Sequence, residues 1–249
     1  PQGDICWAAD EAMLKDYADC FEPYVSPEDA NMMEGYKNVT GYSSPAFCDP
    51  TVFIVNTDLA GDIQINGFAD LLNPALKGQI VSADPTESSS AWNQLQCILT
   101  DFGGWESAEA WEYIQQFHDN EPVISGSSSG VYKGVYNGEY TVGLTYEPAC
   151  VQMLSEGAEG VHIVYPTEGV TSIAFGSAII KGAKNLDNAK LFIDFVTSAE
   201  CQTAQNADWA RRPVRSDITP KGLCSLEDCH VGNYDFSYAA SHRDEIKEQ

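Results

Sequence analysis

Apolar positions along this chain fall into two rhythms, short continuous runs and a three-to-four-residue periodicity, and the two alternate. Thr51 to Asn56 reads Thr-Val-Phe-Ile-Val-Asn behind Asp49-Pro50, a β-branched and aromatic run that predicts a buried strand entered from a turn. The same signal recurs at Gln79 to Ala83, Thr141 to Tyr146, Val161 to Tyr165 and Val170 to Ile180. Between these runs, Ser107 to His118 places Ala110, Trp111, Ile114 and Phe117 on one face behind a serine cap, which predicts an amphipathic helix. A second helix is predicted over Leu186 to Gln202, with Ala189, Phe192, Ile193 and Val196 on its stripe. Strands alternating with helices of this length define an α/β chain with parallel or mixed sheets covered on both faces.

No internal repeat or low-complexity linker separates these elements, so any domain boundary lies inside extended strands. The length of 249 residues, with 43% apolar and 11% aromatic residues, favours two lobes over one compact domain. Charge narrows the partners: 13 basic against 37 acidic residues leave a net charge of −24, which repels nucleic-acid phosphates and anionic lipid headgroups. No apolar run is long enough to span a bilayer, and the chain opens on Pro1-Gln2-Gly3-Asp4 rather than on a targeting segment. The eight cysteines favour an oxidising compartment, yet two readings stay open, disulfides or reduced buried thiols; Cys224 and Cys229 are near enough in sequence to close a small loop. Cys224 to His230 lacks the second ligand pair that a zinc site needs.

Three stretches carry candidate chemistry. Asp84-Pro85-Thr86-Glu87-Ser88-Ser89-Ser90 follows a strand and opens a helix through Leu95 and Ile98, so backbone N–H groups, hydroxyls and the positive end of the helix dipole converge there. Such a place suits a phosphate, a carboxylate or another anion, although a serine-rich cap is commonly only a cap. Ser125-Gly126-Ser127-Ser128-Ser129-Gly130 repeats the arrangement ahead of a short helix that ends before Asn137-Gly138, with a plain flexible loop as the other reading. Thr145, Tyr146 and Glu147 stand at the carboxyl end of a strand, the edge where open α/β sheets bind ligands, and Glu168 precedes the next long strand and is expected to face the same crevice.

Catalytic arrangements are poor by comparison. His118, His162, His230 and His242 are scattered, and no nucleophile elbow, metalloprotease helix, phosphate-binding Walker loop or dinucleotide fingerprint occurs. Neither catalytic nor metal-ligating residues are assigned, and no cofactor is expected. Asn38-Val39-Thr40 forms a glycosylation sequon that matters only in a eukaryotic secretory setting, and Arg211, Arg212 and Arg215 are expected to pair with local acids.

Ordered stretches along nearly the whole chain, among them Pro1 to Ile5, Tyr36-Lys37 with Gly41-Tyr42, Asn56-Thr57-Asp58, Phe68 to Pro74, Lys77-Gly78, Asp84-Pro85-Thr86, Gly138-Glu139-Tyr140, Val142 to Glu147, Tyr165-Pro166, Lys181 to Asn185 and Arg211 to Val214, are similar to a known family. The sequence resembles bacterial ABC-transporter solute-binding proteins of the ferric-iron, 2-aminoethylphosphonate and sugar-phosphate group. The resemblance implies a two-lobed type II periplasmic-binding-protein fold, with Thr51 to Asn56 and Val170 to Phe175 as hinge strands between the lobes. It places residues 1–54 and 170–205 in lobe 1, and residues 55–169 and 206–249 in lobe 2 with the C-terminal helices. Family members carry a further strand-helix-strand segment of about 50 residues ahead of the position of Pro1, so lobe 1 is expected to be incomplete, with an exposed sheet edge.

Carried over by position, Ser88, Ser89 and Ser90 match the family's anion-holding loop, and Ser127, Ser128 and Ser129 match a second hydroxyl-rich contact. Thr145, Tyr146 and Glu147 match the interlobe ligand segment. Ala8, Ala9 and Asp10 fall where the first lobe approaches ligand, with Gly-Gly commoner at the first two. Ferric carriers of the group present two adjacent tyrosines where this chain has Thr145-Tyr146, which departs from iron binding by that mechanism.

The resemblance therefore implies a non-enzymatic receptor of an ABC importer that takes a phosphorylated or phosphonate-bearing solute, partnered by a permease. Its expected location is periplasmic or extracellular, with lipoprotein anchoring in a longer precursor. Ferric iron or another cation is the alternative ligand. A carboxylate-based hydrolase and a binding-incompetent, truncated interaction protein are the readings from other classes.

Overall fold

The computed structural model describes residues 3–220, 223–226, 229, 231 and 241–248; Pro1, Gln2 and His230, named above, lie outside them. The described residues form two compact units: 3–49, 173–220, 223 and 241–242 in the first, and 50–172, 224–226, 229, 231 and 243–248 in the second. The stretch 206–220, expected with lobe 2, clusters with the first unit.

The second unit is built on the predicted strands. β3 (Ser43–Asn56) is buried along all 14 residues, longer than its predicted Thr51 to Asn56 core, and the chain passes from one unit to the other within it, between Asp49 and Pro50. Its Thr51 to Val55 part pairs antiparallel with β6 (Val142–Tyr146), and Phe53 to Asn56 pairs antiparallel with β7 (Val161–Val164) on the other side. β4 (Ile80–Ala83) then lies parallel to β6, and β5 (Val123–Ser125), a strand too short to register in the sequence pattern, lies parallel to β4.

Alternation along β3 sends Phe53 and Val55 into one core with Phe68, Leu71, Ile80, Ile98 and Tyr113, and Val52 and Ile54 into another with Val81, Val131, Val135 and Cys150. Covered on both faces, Val52 to Val55 are apolar at successive positions, which is why this run showed no alternation in sequence. α3 (Ser89–Asp101) and α4 (Ala108–Asp119) contribute to the first core, and α5 (Ser128–Tyr136) and α6 (Glu147–Ser155) to the second. On α4 the buried positions are Ala110 and Tyr113, the latter donating its hydroxyl to the Phe68 carbonyl at 2.8 Å, while Trp111, Ile114 and Phe117 are partly buried. Full burial of a side chain such as Phe53 or Ile80 in this core contributes about 1.5–3 kcal/mol.

In the first unit, β8 (Ser172–Ile180) pairs antiparallel with β1 (Ile5–Asp10) and, through Ile179 and Ile180, with the two-residue β2 (Phe21–Glu22). The helix expected over Leu186 to Gln202 is two helices, α7 (Leu186–Thr197) and α8 (Ala199–Trp209), because Ser198 leaves helical geometry at ψ 157° and caps α8 by accepting from Cys201 N. Of the expected stripe, Ala189, Ile193 and Val196 are buried, whereas Phe192 is on the exposed side and meets Trp7 edge-on at 5.4 Å. Arg211 pairs with Asp49, and Arg215 with Glu28 and Asp217. Asn38 of the sequon has its side-chain amide bonded to Tyr24 O and its oxygen to Gly41 N, which makes it the pivot of a turn.

Candidate functional site

Parallel pairing of β4 with β5 puts Ala83 opposite Ser125, so the two serine loops leave the sheet from the same edge, side by side. After β4 the chain turns on Asp84, whose Oδ1 accepts from Thr86 N at 2.8 Å and from Thr86 Oγ1 at 2.7 Å, while Ser88 N donates to Asp84 O at 2.8 Å. That Asx turn delivers Ser88 as the N-cap of α3, accepting from Ala91 N. After β5, Ser125 Oγ donates to Ser127 O at 3.0 Å, and Ser127 caps α5 by accepting from Gly130 N at 3.1 Å. Gly130 leaves room for the Ser125 hydroxyl, since a Cβ at that position would stand 2.3 Å from Ser125 Oγ and displace it.

The two loops enclose a cleft of about 520 Å³ lined by Asp84, Glu87, Ser88, Ser89, Ile124, Ser125, Gly126, Ser127 and Ser128, with Ala83 at its floor. Ser90 and Ser129 stand behind it, each hydroxyl bonded to that of the cap two residues earlier, at 3.1 and 3.3 Å. The two loops marked in the sequence thus border one cleft, and within each triplet the first two serines line it. The N–H groups of Ser89, Ser90, Ser128 and Ser129 belong to the first turns of α3 and α5, which have no carbonyl of their own helix to bond. The starts of two helices therefore border one space, an arrangement suited to an anion.

Asp84 and Glu87 were missed as lining groups. The signal was available, because an Asp two residues ahead of Thr in Asp-Pro-Thr is an Asx-turn signature that fixes where the carboxylate points. The Asp84 carboxyl is held below the usual range by its two bonds from Thr86, aided by the nearby Lys247, whose Nζ donates to Thr86 O at 2.6 Å. Lys247 arrives on α9 (Arg243–Glu248), anchored by buried Ile246 and by Arg243 over the Trp92 ring at 5.0 Å.

The remaining expected residues are distributed differently. Tyr146, half-buried at the end of β6, meets Tyr132 edge-on at 6.4 Å. Thr145 is buried, and its carbonyl accepts from Gln94 Nε2 at 2.6 Å; the same amide reaches Val52 O at 2.9 Å and clamps β3 to β6. Glu147 is fully buried and accepts the Tyr165 hydroxyl at 2.5 Å. Glu168 is not in the cleft: its carboxylate accepts from Phe68 N at 3.0 Å and Ala69 N at 2.8 Å, capping a turn of 3-10 helix. It influences Asp101 at the far end of α3, about 18 Å of helix from Ser89. Ala9 and Asp10 belong to the first unit, where they pair with Gly176 and Phe175 beside a bulge at Ala8, whose φ is +54°.

The model of the family described as bacterial extracellular solute-binding protein matches residues 2–208. The chain belongs to the bacterial extracellular solute-binding proteins. It is 30% identical over 189 residues to an uncharacterised protein of Haemophilus influenzae, covering 73% of this chain and 54% of that one. It is 23% identical over 234 residues to a probable ABC transporter periplasmic-binding protein, y4fP, of Sinorhizobium fredii, covering 91% and 64%. The chain thus spans between half and two thirds of these relatives' length. Among solved structures, the periplasmic binding protein AfuA of Actinobacillus pleuropneumoniae, with exogenous fructose-6-phosphate bound, superposes with a TM-score of 0.84 at 26% identity, over 100% of this chain and 81% of AfuA. The chain has the two-lobed α/β fold of these binding proteins. No helix among the described residues of this solute-binding chain is long and apolar enough to cross a membrane.

Proposed function

We propose that this protein is the solute receptor of an ABC importer and that it takes a small phosphorylated or phosphonate-bearing solute, with the anionic group seated between the N-termini of α3 and α5. The observation that carries this reading is the shared cleft: two serine-capped helix starts open onto about 520 Å³, room for a sugar phosphate or an aminoalkyl phosphonate. Membership of the solute-binding family and the fructose-6-phosphate in the AfuA structure support it. The amides of Ser89 and Ser128 and the hydroxyls of Ser88, Ser89, Ser127 and Ser128 supply the donors, and the Asp84 and Glu87 carboxylates accept from the ligand's hydroxyls or amine.

Capture without turnover, delivery to a permease and residence outside the cytoplasm, on a lipoprotein anchor in a longer precursor, belong to the same reading. Ferric iron is the second reading, favoured by Tyr146 and by the net charge of −24. Titration calorimetry of metal-free protein against fructose 6-phosphate, 2-aminoethylphosphonate, inorganic phosphate and ferric citrate separates them. Saturable binding of one phosphorylated compound, lost in Ser89→Pro and Ser128→Pro, supports the cleft. Binding of ferric citrate alone overturns the choice of ligand, and steady release of phosphate from an ester overturns the receptor reading.

A further inference from the structure

Cys224 and Cys229 lie apart from the serine cleft, and their Sγ atoms approach to 2.9 Å. Cys229 N donates to Ser225 O at 3.2 Å, a bond that draws Cys229 back toward Cys224. Cys229 is buried at 2% exposure and Cys224 is half-buried, so one sulfur is sheltered while the other is reached from solvent. A disulfide needs its sulfurs at ~2.05 Å, a small side-chain adjustment from this arrangement.

The family is extracellular, and such proteins meet oxidising conditions in which paired thiols are converted and kept as disulfides. Other cysteines are placed differently: Cys97 is fully buried and its thiol donates to Gly169 O at 3.5 Å, and Cys201 accepts from Gln205 Nε2 at 3.2 Å.

We propose that Cys224 and Cys229 are joined by an intrachain disulfide in the secreted protein. The co-reactant is a small or protein disulfide, RSSR. The half-buried Cys224, as thiolate, attacks one of its sulfurs; a mixed disulfide forms and one thiolate leaves. Cys229, deprotonated in turn, attacks the Cys224 sulfur and expels the second. Two cysteine thiols are oxidised by two electrons, RSSR is reduced to two RSH, and the two cysteine protons end on those thiols. The crosslink closes a loop ahead of Val231, which bridges to Val170. Val170 adjoins Thr171, whose N–H and hydroxyl are held by Thr51 Oγ1 at 3.1 and 3.3 Å. Oxidation therefore fixes this loop against the stretch where the chain enters β8.

The test uses the full chain, equilibrated with glutathione disulfide, denatured, alkylated with iodoacetamide without reductant and digested with trypsin. No lysine or arginine separates the two cysteines, so both ride on one peptide. That peptide is expected to be about 2 Da lighter than the dithiol and free of alkyl groups, and to take two alkyl groups only after reduction. Reductant is expected to lower the melting temperature of the wild type by a few degrees and to leave that of the Cys224→Ser/Cys229→Ser variant unmoved. Two alkyl groups on the unreduced peptide, or a linkage from either cysteine to another peptide, would overturn the proposal.

Discussion

At Ala8 the backbone takes φ +54° in the middle of β1, a conformation in which an L side chain crowds the following carbonyl. The register of β1 against β8 shifts between Cys6 and Ala9, which makes Ala8 the extra residue of a bulge. Ala8→Gly is expected to stabilise the chain by about 1 kcal/mol in urea unfolding, the relieved strain outweighing the added freedom of the unfolded chain. A second residue with a measurable signature is Asp101, at the carboxyl end of α3, where burial, with Glu168 adding to it, raises its carboxyl to about 6. A carboxyl held above its unfolded value of 3.8 stabilises the fold while protonated, and that contribution is lost as pH rises through about 6. Asp101→Asn should therefore raise the melting temperature at pH 7 and flatten its fall between pH 4 and 6, by an amount near 1 kcal/mol because the carboxyl is only partly buried. Neither residue announced itself in sequence: a strained alanine looks like any alanine, and the raised carboxyl of Asp101 comes from burial in the fold, to which Glu168, 67 positions away, adds.

Elements were legible where local chemistry decides them. The caps at Ser88, Ser107 and Ser127 depend on a hydroxyl and an amide three residues apart, so they could be read from a few letters, and all three form. Ser127→Ala is expected to lower stability by about 1 kcal/mol through the lost cap and to weaken binding of a phosphorylated ligand further, read by urea unfolding and calorimetry on the same protein. Gly130→Ala separates the two effects. The substitution improves helix propensity by about 1 kcal/mol, but its Cβ forces Ser125 Oγ away from Ser127 O. Stability should change little while ligand affinity falls, and unchanged affinity would show that the loop geometry is not used. What could not be read at this scale was partnership at a distance. Glu168 looked like a crevice residue because it comes just before a long strand, yet its oxygens are taken by the amides of Phe68 and Ala69, and β5 was too short to stand out from its loop.

Over the whole molecule the charge of −24 sets an approach problem for any anionic ligand. Repulsion acts over several ångströms and is screened with a Debye length of ~10 Å at 0.1 M salt, whereas the amides of α3 and α5 act at contact. Association with a sugar phosphate should therefore quicken several-fold between 20 and 200 mM salt while dissociation hardly changes, the reverse of an anion site built from lysines and arginines. Stopped-flow measurement of both rates checks this, and a slower association at high salt would place an uncounted cation near the entrance. The two-unit division was foreseeable from length, yet its position within β3 was set by which residues pack together, information that the uniform run of apolar letters does not carry. The carboxylates of Asp84 and Glu87 carry a last consequence for the cleft between the serine loops. Ionised, they can only accept, so an oxyanion that fits against them must bring a proton of its own. A phosphate ester, whose last ionisation falls at about 6, regains an acidic hydrogen only as the pH drops below that value, and sulfate does not. Lowering the pH from 7 to 5 should therefore favour a phosphate ester over sulfate between these loops, sorting two ions of nearly equal size by a single hydrogen atom.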